Sequence, residues 1–265
     1  MARPNLLRRK LAAGRRCVGP LFQEFWSPEL FEFVGLAGFD FVIADGEHAG
    51  VDPQTVRNLA RAAQGVGATA LARVPNGEPS LLLRYLDAGV EGLILPHCNT
   101  AEDAEGFVRA CKYPPRGIRG AASSSRAAGY GFTQTPTEHL QQADREVLCL
   151  ALIEEPRAVE QLPAILAVDG LDGCFVGAGD MALTLDRRYY GGPSTHPEVQ
   201  RLVDRAIDRT LAAGKLVMLP AATGAQARAA AERGAQLITF NIGANLLRRA
   251  CEEYLGAFRG GPATA

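Results

Sequence analysis

The sequence predicts a (β/α)8 barrel, and two observations carry this prediction. Short apolar segments of strand length alternate with helical patterns along most of the 265 residues. Several of these segments are apolar on both faces, as buried parallel strands are. A doubly wound open sheet is the alternative, because a sequence pattern rarely shows whether a sheet closes. No Gly-x-Gly-x-x-Gly segment begins a helix, which weighs against a dinucleotide-binding fold.

Eight predicted strands follow one another along the chain. Each has the length of a buried strand, and each is separated from the next by a helical pattern, as a (β/α)8 barrel requires. The predicted strands are CVGPLF, FDFVIAD, TALARV, EGLILP, LCLALIE, GCFVGA, KLVML and QLITFN.

Capping residues mark the helices between these strands. Asp52 and Pro53 stand as N-cap and first residue of the helix after the second strand. Pro79 begins the next helix and Gly89 ends it. Thr100 precedes a helix with acidic residues in its first turn and basic residues in its last. Further predicted boundaries are Pro156, His196–Pro197 and Thr223 at helix starts, and Gly214 and Gly234 at helix ends.

Length and composition fit one barrel domain over residues 1–265, with a short N-terminal extension and a flexible tail from about residue 259. The net charge of −1 gives no reason to expect a nucleic-acid or membrane partner. The basic N-terminus lacks the apolar core of a signal peptide, so we expect a cytoplasmic protein. The six scattered cysteines form no C-x-x-C motif and are interpreted as reduced core thiols.

One segment breaks the regular alternation. Residues 113–146 lie between the fourth barrel helix and the fifth strand and include YPPRGIRGAASSSRAAGYGF. A long irregular stretch in a compact domain is usually functional or disordered. Its glycines, serines and arginines indicate a loop over a site, and a surface insertion is the alternative.

Polar residues stand at the C-terminal ends of the predicted strands, which form the catalytic face of such a barrel. Each has an ordinary structural explanation when taken alone, such as a rim salt bridge or a helix cap. Their concentration on one face predicts a functional site. These residues are Asp45, Glu47 and His48 after the second strand, Arg73 after the third, His97 after the fourth, Glu154 and Glu155 after the fifth, Asp180 after the sixth, and Asn241 at the end of the eighth.

These residue types fit chemistry on an enolate. Two carboxylates from adjacent strands suit a hard divalent cation such as Mg²⁺ or Mn²⁺. An imidazole supplies a base near neutral pH, and a guanidinium binds a carboxylate or an enolate. Only three of the 28 basic residues are lysines, and none is predicted at the catalytic face. A Schiff-base mechanism, which needs a lysine there, is therefore disfavoured.

The chain resembles the HpcH/HpaI family of metal-dependent 2-oxo acid aldolases, which includes 4-hydroxy-2-oxoheptanedioate and 2-keto-3-deoxy-sugar-acid aldolases. The resemblance runs from about Leu6 to Leu255. It implies a (β/α)8 barrel, a divalent metal cofactor (Mg²⁺, Mn²⁺ or Co²⁺) and a homo-oligomer, either trimer or hexamer. The motifs that carry it are AGFDFVIADGEH, ARV, YLDAGVEGLILP, YPPRGIRG, IEEPRAV and GAGDMALTL.

The resemblance also implies roles for individual residues. His48 corresponds to the catalytic base, and Asp87 to the acid that raises the basicity of that histidine. Arg73 corresponds to the residue that stabilises the enolate and holds the 2-oxo acid. Glu154 and Asp180 correspond to the metal ligands.

The same motifs imply roles at four positions. The backbone of Gly179 and Asp180 is expected to face the substrate carboxylate. Asp45 and Glu47 are expected to orient the groups around them. In this interpretation the ADGEH turn carries the base from the second strand to the rim of the barrel.

The chain departs from the family pattern at two places. Leu152 stands where the family has a glutamine that contacts substrate, and the turn before Asp180 reads GAGD in place of G-P-A-D or G-x-N-D. An apolar pocket wall at Leu152 predicts acceptance of less polar aldehydes, or of a different nucleophile. The alternative is that Leu152 points into the barrel core.

Taken together, the sequence predicts a lyase that makes or breaks a C–C bond between pyruvate, or a related 2-oxo acid, and an aldehyde. The nearest alternative keeps the enolate and changes the partner, as a decarboxylase or C–C ligase acting on oxaloacetate. A CoA-ester lyase is less well supported, because no basic patch is evident for the nucleotide. A non-catalytic barrel that acts as a binding protein is the alternative from another class.

Overall fold

The structure, a computed structural model, describes residues 4–189, 196–241 and 243–260. Within these ranges eight parallel strands form a closed barrel in chain order, and β1 closes it by pairing with β8. The predicted fold is confirmed, and each predicted strand is present. The strands are β1 (Cys17–Phe22), β2 (Phe41–Asp45), β3 (Thr69–Arg73), β4 (Gly92–Leu95), β5 (Leu148–Ile153), β6 (Gly173–Val176), β7 (Leu216–Ala221) and β8 (Leu237–Asn241).

Helices cover the outside of the barrel, and short 3₁₀ turns at Gly129–Gly131 and Arg187–Tyr189 lie between them. None of the described helices is long and apolar enough to cross a membrane. The helices are α1 (Leu6–Ala12), α2 (Pro28–Leu36), α3 (Pro53–Gly65), α4 (Pro79–Ala88), α5 (Ala101–Cys111), α6 (Pro136–Glu146), α7 (Pro156–Leu166), α8 (Ala178–Leu185), α9 (Pro197–Ala212), α10 (Gly224–Glu232) and α11 (Gly243–Phe258).

The capping residues act as the sequence predicts. The Asp52 carboxylate accepts a hydrogen bond of 2.7 Å from the Thr55 N–H at the start of α3. Thr100 and Asp103 form a reciprocal capping box at the start of α5. Gly89 ends α4 with a φ of 101°, a left-handed conformation that favours glycine. Local sequence therefore sets where these helices begin and end.

The barrel interior is a separate apolar core. Side chains alternate between the two faces of each strand, so every second residue points inward. Leu7 of α1 belongs to the same interior cluster, and its N–H donates to Thr69 Oγ1 at 3.1 Å, so α1 closes the N-terminal end of the barrel. The inward-facing cluster comprises Cys17, Leu21, Phe41, Ile43, Leu71, Ile94, Leu148, Leu150, Leu152, Phe175, Met218 and Leu237.

The long segment 113–146 lies at the N-terminal face of the barrel, because it joins the end of α5 to the start of β5. Arg119 pairs with Asp87 at the end of α4, at 2.9 Å. Arg126 donates to Gln64 Oε1 near the end of α3, at 2.5 Å. The C-terminal ends of the strands are at the opposite face. Within one chain this segment therefore does not cover the site, contrary to our expectation.

The last helix, α11, lies largely in solvent. Of its residues only Gly243 is buried, and the first turn is held to the barrel by the Ala244 N–H, 3.3 Å from Glu24 Oε2. The predicted flexible tail from about residue 259 falls mostly on residues 261–265, outside the described residues. The large exposed apolar side chains of α11 are Leu246, Leu247, Tyr254, Leu255 and Phe258.

Candidate metal and acid–base site

The polar site stands directly on top of the apolar barrel interior. In β2 the inward positions are Phe41, Ile43 and then Asp45. In β5 the inward Leu152 is followed two residues later by Glu154. The alternation that fills the barrel with apolar side chains therefore delivers carboxylates to its C-terminal mouth. Sequence reasoning predicted this placement from the strand ends.

A buried ion pair joins β2 to β3. The parallel register sets Asp45 opposite Arg73. Nε of Arg73 donates to Asp45 Oδ1 at 2.8 Å, and Nη2 donates to Oδ2 at 2.6 Å. Asp45 is 0% exposed and Arg73 is 6% exposed. Burial alone would raise the pKa of Asp45, but the hydrogen bond and the charge of Arg73 outweigh it and hold this pKa below its ordinary value.

Glu47 extends the pair toward the centre of the mouth. Its N–H donates to Asp45 Oδ1 at 3.0 Å, which fixes the turn after β2. Its Oε2 lies 2.9 Å from Arg73 Nη1 but without hydrogen-bond geometry, and among the described residues this buried oxygen has no hydrogen-bond partner. Its Oε1 lies 3.2 Å from His97 Nε2. Glu47 therefore offers a buried carboxylate oxygen that is ion-paired with Arg73 but accepts no hydrogen bond from the described residues.

His97 occupies a position that sequence reasoning noted at the rim without giving it a role. It follows β4 with a φ of 50°, which is unusual for a residue with a side chain. Its Nδ1 lies 3.0 Å from Glu155 Oε1 and 3.5 Å from Glu154 Oε1. Burial lowers the pKa of His97, but the hydrogen bond to Glu155 and the charges of Glu154 and Glu47 outweigh it and raise this pKa. The feature of the sequence that could have indicated a role for His97 is its position directly after β4, at the catalytic face.

Glu154 is the most strongly perturbed carboxyl group of the site. It is 2% exposed, and its Oε1 accepts a hydrogen bond of 2.8 Å from the His97 N–H. Burial raises its pKa from 4.5 to about 7, the negative charges of Glu47 and Asp180 add to this, and the His97 N–H opposes it. The charge of His97, whose Nδ1 lies 3.5 Å away, also opposes the rise but does not cancel it, and such a shift in a cluster of acids indicates a functional group.

The cluster fits a divalent cation. One ring nitrogen of His97 and one carboxylate oxygen each of Glu47 and Glu154 lie within 4.8 Å of one another. Hard divalent cations prefer carboxylate oxygens, and Glu47 Oε2 is a buried oxygen without a hydrogen-bond partner among the described residues. A cation here would also offset the burial of Glu154 and the negative charges of Glu47 and Asp180, which together raise the pKa of Glu154. We conclude that the residues present suit such an ion.

Comparison with known proteins identifies the family. The HpcH/HpaI aldolase/citrate lyase family matches residues 20–241. The chain belongs to this family. A 5-keto-4-deoxy-D-glucarate aldolase from Escherichia coli O6:H1 is 34% identical over 256 residues, which cover 97% of each chain.

Two solved structures of this family are similar along nearly the whole chain. An HpcH/HpaI aldolase from Desulfitobacterium hafniense DCB-2 has a TM-score of 0.89 at 29% identity, and the match covers 98% of this chain and 99% of that one. An HpcH/HpaI aldolase/citrate lyase family protein from Burkholderia cenocepacia J2315 has a TM-score of 0.89 at 32% identity, with 96% and 99% covered. The barrel described above is therefore the barrel of the HpcH/HpaI family.

The structure brings some residues with expected HpcH/HpaI roles together and separates one. His48 is half exposed, and its Nε2 lies 3.6 Å from Glu47 Oε2, at the edge of the cluster. Asp180 is close enough for its charge to act on Glu154. The Asp87 carboxylate, in contrast, pairs with Arg119 at the N-terminal face and does not contact His48 within the described chain.

Gly179 and Asp180 lie in the first turn of α8. The N-cap is Gly177, which has no side chain to accept hydrogen bonds from that turn. A Cβ built on Gly179 would meet no atom within 4 Å, so the turn is open on that side. The first-turn N–H groups therefore present donors at the positive end of a helix, a common arrangement for binding an anion.

Leu152 is 2% exposed and belongs to the barrel interior. One of its methyl groups lies 3.2 Å from where a Cβ on Gly177 would stand, so it packs beneath the turn that begins α8. It offers almost no surface to a ligand. The structure therefore favours the core position for Leu152 over the apolar pocket wall, and the predicted effect on aldehyde choice loses its basis.

The Asp45–Arg73 fork gives the first prediction. Arg73→Lys keeps the charge but loses the two parallel hydrogen bonds, so we expect a loss of about 1–3 kcal/mol in the free energy of unfolding. Urea denaturation measures it. The matched control is Arg116→Lys, which changes an exposed pair with Asp169 and should cost less than about 0.5 kcal/mol. Equal losses in the two variants would show that the fork does not stabilise the mouth.

The pKa of Glu154 gives the second prediction. Because this pKa is about 7 in the folded chain and 4.5 ordinarily, the folded state holds the proton more tightly. Its stabilisation is present at low pH and lost as pH rises from 4.5 through 7. Between pH 5 and pH 8, the metal-free wild type should therefore lose about 1–3 kcal/mol more of its free energy of unfolding than Glu154→Gln does.

The measurement is urea denaturation in EDTA at both pH values, for the wild type and for Glu154→Gln. Glu160→Gln, an exposed change on α7, is the control and should leave the difference between the two pH values as it is in the wild type. If Glu154→Gln showed the same difference in the free energy of unfolding between the two pH values as the wild type, the raised pKa of Glu154 would be contradicted.

Proposed function

We propose that the protein is a divalent-metal-dependent aldolase that makes or breaks a C–C bond between pyruvate, or a related 2-oxo acid, and an aldehyde. The observation that carries the proposal is the cluster of Glu47, His97 and Glu154 beside the Asp45–Arg73 pair. The 34% identical relative from E. coli is named as an aldolase, which is a carbon–carbon lyase. Membership of the HpcH/HpaI family supports the same reaction class.

The 2-oxo acid would bind through its carboxylate at the start of α8. The N–H groups of Gly179 and Asp180 lie in the uncapped first turn of that helix. Helix N-terminal donors suit a carboxylate because they combine hydrogen bonds with the positive end of the helix dipole. This contact would fix the 2-oxo acid with its keto oxygen toward the carboxylate cluster.

Arg73 would stabilise the charge that develops on the keto oxygen. Asp45 already occupies the edge formed by Nε and Nη2. Nη1 lies 2.9 Å from Glu47 Oε2 without hydrogen-bond geometry, so its N–H donors can serve a substrate oxygen. Arg73 would therefore contact the substrate through Nη1, while the buried pair with Asp45 holds the guanidinium in place.

Glu154 and Asp180 are the proposed ligands of the cation. When bound, a divalent cation would supply positive charge at the developing enolate oxygen. Asp180 lies in the first turn of α8 and Glu154 directly follows β5, so the two carboxylates come from neighbouring strands of the barrel. The charge of Asp180 adds to burial in raising the pKa of Glu154 in the metal-free chain, and a cation bound between the two carboxylates would relieve this repulsion.

His48 is the proposed base. In the cleavage direction it accepts the proton of the substrate hydroxyl, the C–C bond breaks, and the aldehyde leaves. The bonding electrons remain on the 2-oxo acid as its enolate, and a proton is then returned to the methyl carbon. The imidazole is half exposed beside Glu47, so both a substrate and solvent can reach it.

The role expected for Asp87 requires more than one chain. Its carboxylate lies at the N-terminal face, so within a single barrel it cannot reach His48. If it acts on this base, it does so from a second copy. An exposed apolar stripe on α11, which includes Leu247, Tyr254 and Phe258, supports the predicted homo-oligomer. The trimeric or hexameric state and the cytoplasmic location remain predictions.

A panel assay tests the reaction class. The purified protein with Mg²⁺, Mn²⁺ or Co²⁺ is given pyruvate with aldehydes of different size and charge, or oxaloacetate alone. We expect new C–C bonds with pyruvate and an aldehyde. Turnover of oxaloacetate alone would instead favour the decarboxylase.

The third prediction concerns the metal ligands. Asp180→Ala should abolish Mn²⁺ binding in a calorimetric titration, and turnover with it, while the midpoint of urea denaturation changes little. Binding should be lost because Asp180 is one of the two proposed ligands. Stability should be kept because Asp180 repels Glu154 in the metal-free chain, so its removal takes away no stabilising contact with Glu154. Asp169→Ala, which removes an exposed carboxylate paired with Arg116, is the control and should bind Mn²⁺ as the wild type does. Full turnover of the wild type in EDTA would remove the metal from the proposal.

The fourth prediction concerns the base. His48→Ala should slow exchange of the pyruvate methyl protons with D₂O by roughly 10²–10⁴-fold, the usual contribution of a general base. Proton NMR of pyruvate measures the exchange, and His196→Ala, at the N-cap of α9, is the control. Undiminished exchange in a folded, metal-binding His48→Ala variant would exclude this role.

A further inference from the structure

The imidazole of His97 lies between the carboxylates of Glu47 and Glu154, in a position suited to a ligand of a bound cation. It follows the end of β4, and its imidazole reaches into the mouth between groups that follow β2 and β5. Nε2 lies 3.2 Å from Glu47 Oε1, and Nδ1 lies 3.5 Å from Glu154 Oε1. A ring nitrogen and one oxygen from each of these carboxylates lie within 4.8 Å of one another, close enough to bind one ion.

The surroundings of the ring resemble those of metal-bound histidines. Such histidines usually donate their second ring N–H to a carboxylate, which fixes the tautomer and the ring plane. Here Glu155 Oε1 lies 3.0 Å from Nδ1 and so holds that side of the ring. The amide of Asn99 donates to the same oxygen at 2.8 Å and orients Glu155 in turn. Nε2, facing Glu47, is the nitrogen left for a ligand.

The backbone at His97 also fits a positioned ligand. Its φ of 50° lies in the left-handed region, where residues with a side chain are uncommon and where strain is often kept at functional sites. This conformation lets the His97 N–H donate to Glu154 Oε1 at 2.8 Å while the ring turns toward Glu47. One residue thus orients Glu154 and presents an imidazole to the same space.

We propose that His97 is a nitrogen ligand of the divalent cation at this site, together with Glu154. The inference rests on the proposed metal site and extends it from oxygen ligands alone to a mixed nitrogen and oxygen set. Imidazole ligands favour transition metals, whereas carboxylates and water suit Mg²⁺. The site should therefore prefer Co²⁺ over Mg²⁺ more strongly than a site built only from carboxylates.

Pulsed electron paramagnetic resonance of Mn²⁺ bound to the full chain tests the inference directly. We expect nitrogen coupling from an imidazole in the wild type, and this coupling should change to the ¹⁵N pattern when the protein carries ¹⁵N-labelled histidine. His97→Asn should keep a bound Mn²⁺ and lose the coupling. Asparagine is chosen because it tolerates the left-handed backbone. His48→Asn is the matched control, since His48 also lies beside Glu47, and should retain the coupling.

Calorimetric titration gives a second readout. His97→Asn should weaken Co²⁺ binding by about 10–100-fold and Mg²⁺ binding much less. A wild type that binds Mn²⁺ without nitrogen coupling would overturn the role of His97 and leave the proposed aldolase intact. Coupling that survives in His97→Asn and disappears in His48→Asn would overturn it as well. A wild type that binds no divalent cation would overturn both proposals.

Discussion

The buried pair of Asp45 and Arg73 is the interaction on which the rest of the mouth depends. Removing either partner would leave an uncompensated charge in a place that water hardly reaches, so the pair is maintained as a unit. It also fixes its neighbours. The Glu47 N–H binds Asp45, and the Gly46 N–H donates to the Arg73 carbonyl at 2.8 Å. A Cβ on Gly46 would meet the Tyr85 hydroxyl at 2.7 Å, so only glycine fits this close approach.

With Arg73 committed to Asp45, the mouth carries an excess of negative charge. Glu47 and Glu154 lie in one cluster with His97, and the charge of Asp180 also acts on Glu154. Burial raises the pKa of Glu154, and the negative charges of Glu47 and Asp180 raise it further. The same repulsion makes the cluster a strong ligand set once a cation is present. Charge that is unfavourable for the empty barrel thus becomes useful for binding.

The sequence predicted the barrel and most of the mouth because both follow from local rules. Strand segments, helix caps and the polar residues at strand ends can all be recognised from short stretches of neighbouring residues. Contacts between loops are not visible in this way. The left-handed backbone that turns His97 toward Glu47 has no local signal, since the residue is not glycine. The role expected for Asp87 stays a prediction, because the resemblance gives a role without saying which copy of the chain supplies the residue, and within one chain this carboxylate pairs with Arg119.

The division between core and mouth explains how the barrel tolerates such a charged cluster. Below the carboxylates, inward residues such as Ile43, Leu150 and Leu152 form a closed apolar column. Burial of this column is independent of the charge state above it, and each buried leucine or isoleucine contributes on the order of 1.5–3 kcal/mol. The apolar core therefore offsets the unfavourable electrostatic energy of the buried Glu154, and the site does not interrupt this core. The site residues Asp45 and Glu154 occupy the next inward-facing positions after Ile43 and Leu152. These site residues can therefore be replaced by others without repacking the strands below.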